Sequence, residues 1–209
     1  MVDLIDIGMG NVRSIDNALS RLGVICRVIF DPNMLSSNTI ILPGVGSALP
    51  FMTRIRAKHF DKAIQNHAYN GNKIIGICLG FQVMTEFSEE GGGTKCLGLI
   101  KTETVPINRY HSYSNHNQWE RFYLRREELH LQENFDSILR SKRIIINGRV
   151  FYNHEYGVKI PHGDQNFKQI NSNSLSSFAS MYCSGNIIGI QFHPEKSQIT
   201  GLELLSMLL

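Results

Sequence analysis

In the first ninety positions, apolar residues alternate between short β-rich runs and stripes at helical spacing. Residues 2–7 form a β-rich run ended by Gly8 and Gly10; Val12, Ile15, Ala18, Leu19 and Leu22 then recur on one helical face, with Gly23 as a stop. A second strand is predicted at 24–30, closed by Asp31-Pro32, and a third at 39–42, ended by Pro43-Gly44. Phe60, Ala63, Ile64, His67 and Ala68 mark a helix that stops at Asn70-Gly71. A strand follows at 73–77, and Val83, Met84 and Phe87 then give a helical stripe across 79–87. This alternation predicts an α/β fold: an open, mainly parallel sheet flanked by helices on both faces.

The second half carries a different pattern. Residues 97–107 and 119–124 have strand character, with a polar His/Asn/Ser/Tyr loop between them. Residues 127–140 are expected to form a helix or helix pair, 149–160 one strand, 176–192 a hairpin turning at Ser184-Gly185-Asn186, and 200–209 a closing helix. These strands are antiparallel additions to the sheet. With no internal repeat and no linker-like stretch, residues 1–209 are expected to be a single domain.

Composition narrows the function. The 209 residues are 42% hydrophobic and 19% charged, with net charge +3, and the basic residues form no long block, so no nucleic-acid partner is expected. The N-terminal run carries acids and lacks a basic segment, and no apolar stretch approaches the roughly 18 residues of a membrane span. No membrane association is therefore expected, and the compartment predicted is the cytoplasm. The four cysteines, Cys26, Cys78, Cys96 and Cys183, form no C-x-x-C pair and no Cys/His cluster with zinc spacing, so neither a metal nor a disulfide is expected. Each is a buried small side chain or a reactive thiol.

Cys78 has surroundings that favour reactivity. In G-I-C-L-G (76–80), Gly76 and Gly80 leave room for a strained turn that would expose the thiol between a strand and a helix. A helix N-terminus beneath the thiol would lower its pKa from a free value of about 8.5, and the Leu79 N–H could bind an oxyanion. In Q-F-H-P-E (191–195), His193 lies where an apolar strand ends, with Glu195 two residues on to orient it; the alternative is a surface or capping histidine. In P-G-V-G (43–46), Gly44, Val45 and Gly46 could bring backbone N–H groups to a ligand, or simply make a Pro-Gly turn.

The motifs D-I-G-M-G-N-V-R-S (6–14), I-L-P-G-V-G (41–46), G-I-C-L-G-F-Q (76–82), S-E-E-G-G-G-T-K-C-L-G-L-I (88–100) and G-I-Q-F-H-P-E-K-S (189–197) together resemble the class I (triad) glutamine amidotransferases. Within them the chain is most similar to the glutaminase subunits of imidazole glycerol phosphate synthases. The resemblance implies a flavodoxin-like fold, no cofactor, and a Cys78-His193-Glu195 triad that hydrolyses glutamine, with Gln82, Leu79 and the backbone of Gly44–Gly46 around the substrate. It also implies a (β/α)₈-barrel cyclase partner that takes the ammonia as a heterodimer in histidine biosynthesis, with Asn11 and Lys196 as interface and gating residues.

The middle of the chain departs from that family's pattern. The usual Pro-His-Met-Gly-Trp-Asn is replaced within V-P-I-N-R-Y-H-S-Y-S-N-H-N-Q-W-E (105–120), with Trp119 a remnant, and F-x-H-S-Y becomes F-Y-N-H-E-Y (151–156), which places Glu155 at a pocket position where a small residue is usual. One alternative is therefore a paralogue that supplies ammonia to amidinate a nucleotide-linked sugar in surface-polysaccharide biosynthesis. A partner-free glutaminase is disfavoured by the P-E-K-S and G-M-G-N-V-R-S segments, and an inactive binding module by the intact triad. Dinucleotide binding at D-I-G-M-G-N is weaker still, because the third glycine is missing.

Overall fold

Four strands with almost no polar residue lie side by side at the centre of the sheet. They are β1 (Val2–Ile5), β3 (Thr39–Leu42), β4 (Lys73–Ile77) and β14 (Ile187–Ile190), and every residue in them is buried. Runs of this kind have no solvent face, so they require layers on both sides. The computed structural model describes residues 1–110, 115–125, 128, 130–131, 145–170 and 175–209.

In chain order the remaining elements are α1 (Val12–Arg21), β2 (Cys26–Ile29), α2 (Ala48–Ala57), α3 (Phe60–Tyr69), α4 (Leu79–Gln82), β5 (Thr85–Ser88), β6 (Thr94–Lys95), β7 (Ile100–Pro106), β8 (His116–Arg125), β9 (His130–Leu131), β10 (Ile145–His154), β11 (Tyr156–Val158), β12 (Phe167–Gln169), β13 (Ala179–Gly185) and α5 (Gln198–Leu208). The main sheet runs β12-β13-β14-β4-β3-β1-β2, with β9 paired to β13. From β14 to β2 all neighbours are parallel, whereas β12, β13 and β14 pair antiparallel. The expected open α/β sheet with antiparallel additions is what forms.

Period-two alternation sorts the core. Leu4, Ile41, Ile75 and Ile77 face one side, where Ile15 and Leu19 of α1, Leu204 and Leu208 of α5, and Phe122 and Val150 cover them. Ile5, Ile40, Leu42 and Ile74 face the other, under Phe51 and Ile55 of α2, Phe60 and Ile64 of α3, and Phe81. Among the described residues no helix is long and apolar enough to cross a membrane.

Several local expectations need correction. The stripe at 79–87 is not one helix: α4 ends at Gln82, and β5 begins at Thr85 to pair with β7. The Thr85 hydroxyl donates to the Gln82 carbonyl at 2.7 Å, closing the turn that stops α4. The strand expected over 149–160 breaks at Glu155: β10 pairs with β8 in a ten-residue antiparallel ribbon, whereas β11 leaves it to pair with β7. Helix α2 was not anticipated, because Pro50 and the basic residues near its end obscure the apolar stripe of Phe51, Met52 and Ile55. The helix expected over 127–140 falls largely outside the described residues.

Candidate active site

Because β1, β3, β4 and β14 are parallel neighbours, their carboxyl ends open on the same edge of the sheet. Asn11 follows β1, Gly44–Gly46 follow β3, Cys78 follows β4 and His193 follows β14. Segments about 150 residues apart in sequence thus meet around a cavity of about 360 Å³, whose lining includes Gly44, Val45, Gly46, Cys78, Leu79, Gln82 and His193.

Cys78 has φ 49° and ψ −106°, a conformation costly for any residue with a side chain. Its N–H donates to the Ile190 carbonyl at 2.6 Å, locking the turn to β14. The turn needs bare backbone on both sides. A Cβ on Gly80 would sit 2.2 Å from the Leu42 carbonyl oxygen, and one on Gly44 would sit 1.6 Å from that of Ile77. Gly46, at φ +118°, is the residue of this loop that uses the conformation closed to side chains. Helix α4 has only four residues, so the macrodipole expected beneath the thiol is small; the nearby cation is His193 instead.

The His193 imidazole is buried and interacts with the Cys78 side chain; its Nδ1 donates to Glu195 Oε1 at 2.8 Å. Burial alone would lower the pKa of His193, but the Cys78 sulfur and the Glu195 carboxylate raise it to about 10, so the ring carries a proton at neutral pH. Nδ1–H bonded to a carboxylate leaves Nε2 as the nitrogen free for transfer. The ring's backbone is also fixed: His193 N–H donates to the Phe151 carbonyl at 2.9 Å, and Ser197 Oγ donates to the His193 carbonyl at 2.7 Å. A side chain that sequence reasoning passed over, Gln191, donates to Cys78 Sγ at 3.7 Å from a fully buried position.

Asn11 occupies the N-cap position of α1, but its side chain makes no capping bond. Its Nδ2 instead donates to Glu195 Oε1 at 2.5 Å, and its Oδ1 accepts from Gly44 N–H at 3.0 Å. The residue singled out for the interface is thus wired inward, between the carboxylate and the P-G-V-G loop. The second oxygen of Glu195 is buried without a hydrogen-bond partner among the described residues. Lys196 is exposed, its Nζ 6.0 Å from the Phe151 ring centre.

The Leu79 N–H, expected to be open to an oxyanion, faces the Gly44 carbonyl oxygen at 3.5 Å. Gln82 lines the cavity, but its Nε2 donates to the Tyr156 carbonyl at 2.6 Å, tying α4 to β11. The sequence reading missed Glu90, Asn153, His154 and Tyr156 as lining residues. Glu90 Oε2 accepts from the Ala48 N–H at 2.6 Å, at the start of α2. His154 is buried: its Nδ1 donates to the Tyr156 carbonyl at 2.7 Å and its Nε2 meets His116 Nδ1 at 3.2 Å. Burial and the neighbouring His116 push its pKa down to about 3. The run S-E-E in 88–90 was a signal for Glu90; within 153–156 the motif F-Y-N-H-E-Y had marked Glu155 alone, which does line the cavity, and its neighbours Asn153, His154 and Tyr156 were missed because the break that turns them inward has a remote cause.

Among the described residues, no group of three or more His, Cys, Asp or Glu could hold a metal ion. What the site offers is a strained thiol beside a protonated, carboxylate-oriented imidazole. That pairing suits nucleophilic attack on a carbonyl carbon, with a proton ready for the leaving group.

A family model described as glutamine amidotransferase class-I matches residues 3–206. The chain is 32% identical over 217 residues to imidazole glycerol phosphate synthase subunit HisH of Bacillus velezensis, covering 99% of this chain and 94% of that protein. It is 33% identical over 212 residues to the chloroplastic imidazole glycerol phosphate synthase hisHF of Arabidopsis thaliana, covering 98% of this chain and 33% of that longer protein. Among solved structures, PurLQS from Thermotoga maritima aligns with a TM-score of 0.68 at 19% identity, covering 99% of this chain and 96% of that chain, which is a likeness of fold.

Proposed function

Because the chain belongs to the glutamine amidotransferase class-I family, we propose that it is the glutaminase subunit of an imidazole glycerol phosphate synthase. In this reading residues 1–209 act as one amidotransferase domain. The Cys78 sulfur attacks the side-chain amide carbon of glutamine, giving a tetrahedral oxyanion. His193 Nε2 gives its proton to the amide nitrogen, the C–N bond breaks and ammonia departs, leaving a γ-glutamyl thioester on Cys78. Water then attacks the thioester with His193 as base, and the S–C bond breaks to release glutamate and restore the thiol. Glu195 holds the imidazole through Nδ1 and stabilises its cationic form.

The observation that carries this reading is the strained Cys78 turn set against the His193–Glu195 ion pair. In this reading a partner supplies the acceptor for the ammonia. The Arabidopsis relative is named imidazole glycerol phosphate synthase hisHF and is about three times the length of the matched region, which supports a second, fused subunit there and, for this chain, a separate cyclase of the (β/α)₈ type as partner in a heterodimer. Lys196, exposed at the carboxyl edge of the sheet, would face it, and Asn11, bonded inward to Glu195 and Gly44, would couple that face to the site.

The test is to identify the protein that copurifies with this chain and the product formed from glutamine. Imidazole glycerol phosphate formed with a barrel-type cyclase supports the reading. An amidinated nucleotide-linked sugar would move the chain to the polysaccharide branch of the same chemistry.

A further inference from the structure

Strand register brings a second side chain from β14 to the nucleophile. β14 pairs with β4 in parallel, with Ile190 opposite Ile77, and the Cys78 N–H donates to the Ile190 carbonyl at 2.6 Å. The next residue after β14, Gln191, therefore lies beside Cys78, and His193, two residues on, shares its side of the extended chain. Gln191 is fully buried, where an amide costs free energy unless it is hydrogen-bonded. Its neighbours decide which end of that amide faces the sulfur. The Tyr156 carbonyl can only accept, so the Gln82 atom 2.6 Å from it is Nε2. That nitrogen also donates to Gln191 Oε1 at 3.3 Å, which leaves Gln191 Nε2 to donate to Cys78 Sγ at 3.7 Å.

The sulfur also faces the Asn153 carbonyl oxygen at 4.0 Å, a dipole that suits a thiol, which can donate to it, and opposes a thiolate. Gln191 presents the opposite dipole. We propose that Gln191 is a further catalytic residue: aimed by Gln82, its Nε2–H stabilises negative charge on Cys78 Sγ. That charge is present twice in each cycle. It is there before the sulfur attacks the amide carbon, and again when the S–C bond of the thioester breaks and its electron pair returns to sulfur. The bond from Gln191 is strongest at those two points, because a charged acceptor strengthens it and a thioester sulfur is a poor acceptor. This rests on the glutaminase reading and adds a residue to its chemistry.

The test reads the charge on sulfur without glutamine. Alkylation of Cys78 by iodoacetamide follows the thiolate, and its rate is measured across pH by peptide mass spectrometry for the full chain as wild type, Gln191→Met and Gln82→Met. Methionine nearly conserves the volume of glutamine. Gln191→Met leaves Gln82 on the Tyr156 carbonyl, and Gln82→Met leaves that carbonyl the His154 Nδ1–H at 2.7 Å. In Gln191→Met the midpoint of the profile should move up by about one pH unit or more, the size expected for a hydrogen bond to a charged group, while the plateau rate at high pH changes little. Gln82→Met should move it the same way by less, since Gln191 keeps its donor and loses its aim; this variant carries the test if Gln191→Met does not fold. A midpoint equal to that of the wild type overturns the proposal, even where glutamine turnover falls. A wild type that hydrolyses no glutamine with its partner overturns the glutaminase reading alone, and the bond to sulfur is then judged by the midpoint.

Discussion

The carbonyl oxygen of Gly44 faces the backbone N–H of Leu79 at 3.5 Å, where the oxyanion of a tetrahedral intermediate would need a donor. A carbonyl there repels developing negative charge. Rotation of the Gly44–Val45 peptide would put an N–H in its place, and the φ of +118° at Gly46 gives the loop freedom for it. One such donor is worth about 3–4 kcal/mol, or roughly 100- to 1,000-fold in rate. The isolated chain should therefore turn over glutamine slowly and accelerate when its partner, and then partner plus acceptor analogue, is bound. Equal rates in all three states would mean that the loop is not a switch.

Asn11 joins the same loop to the triad, through Gly44 N–H and Glu195 Oε1. Asn11→Ala removes both bonds at once. Partner-stimulated kcat should fall about tenfold or more, the loss expected for a hydrogen bond to a charged group, with a much smaller change in KM because Asn11 is not among the cavity-lining residues. A purely KM effect in steady-state kinetics would place Asn11 at the substrate instead.

Cys78→Ala should abolish glutamine hydrolysis while the partner continues to work with added ammonium salt, since the thiol serves only the amide-splitting half. A glutamine-mimicking electrophile should modify Cys78 and spare Cys26 and Cys96, whose thiols burial pushes up to about 12 and about 11. Substantial glutaminase activity in Cys78→Ala would show that another group is the nucleophile.

His193→Ala should reduce turnover by several orders of magnitude, and Glu195→Gln by less, because orientation and charge support are secondary to proton transfer. The two also differ in pH dependence. With the His193 pKa raised to about 10, the imidazolium persists until pH rises through that value. Removing the Glu195 charge weakens one cause of the shift, so the alkaline limb of the kcat profile should move to lower pH in Glu195→Gln. An unmoved limb would separate Glu195 from the titration.

Acid should destabilise the fold before it titrates the carboxylates. His67, His116 and His154 are buried with lowered pKa values, His154 to about 3. Their folded pKa values lie below the unfolded value of about 6.5, so the unfolded chain binds more protons and stability is lost as pH falls below 6.5. Each contributes a slope of up to about 1.4 kcal/mol per pH unit until its folded pKa is reached. Urea midpoints measured at pH 7.5, 6.0 and 5.0 should fall steadily, and His154→Gln should flatten part of that slope. A midpoint that holds constant to pH 5 would contradict the burial of these rings.

Sequence signals were strongest where local chemistry and tertiary demand coincide. The strands at 39–42 and 73–77 have the predicted bounds because a parallel strand buried on both faces must be a continuous apolar run. The stripe of Val83, Met84 and Phe87 misled because it spans a helix end and a strand: Val83 and Met84 are buried after α4 stops, and Phe87 is half-exposed on β5. Nothing in 149–160 marks a break at Glu155, because the cause is remote. One part of that run pairs with β8, and the next is taken by β7.

The sequence alone determined which groups could do chemistry: a cysteine between glycines that leave room for a strained turn, a histidine at a strand end, and a glutamate two residues beyond it. Backbone sterics and the reach of two residues are local properties, and they are written in local residues. Tertiary structure decided how these groups are coupled. Only parallel pairing of β1, β3, β4 and β14 brings Asn11 against Glu195 and turns the Gly44 carbonyl toward Leu79, and only the departure of β11 from the β8–β10 ribbon to β7 seats Glu155 in the cavity with Cys78. Those contacts join residues 33 to 184 positions apart, or depend on a strand leaving its partner. They follow from which strands are neighbours, a relation set by the packing of the whole sheet.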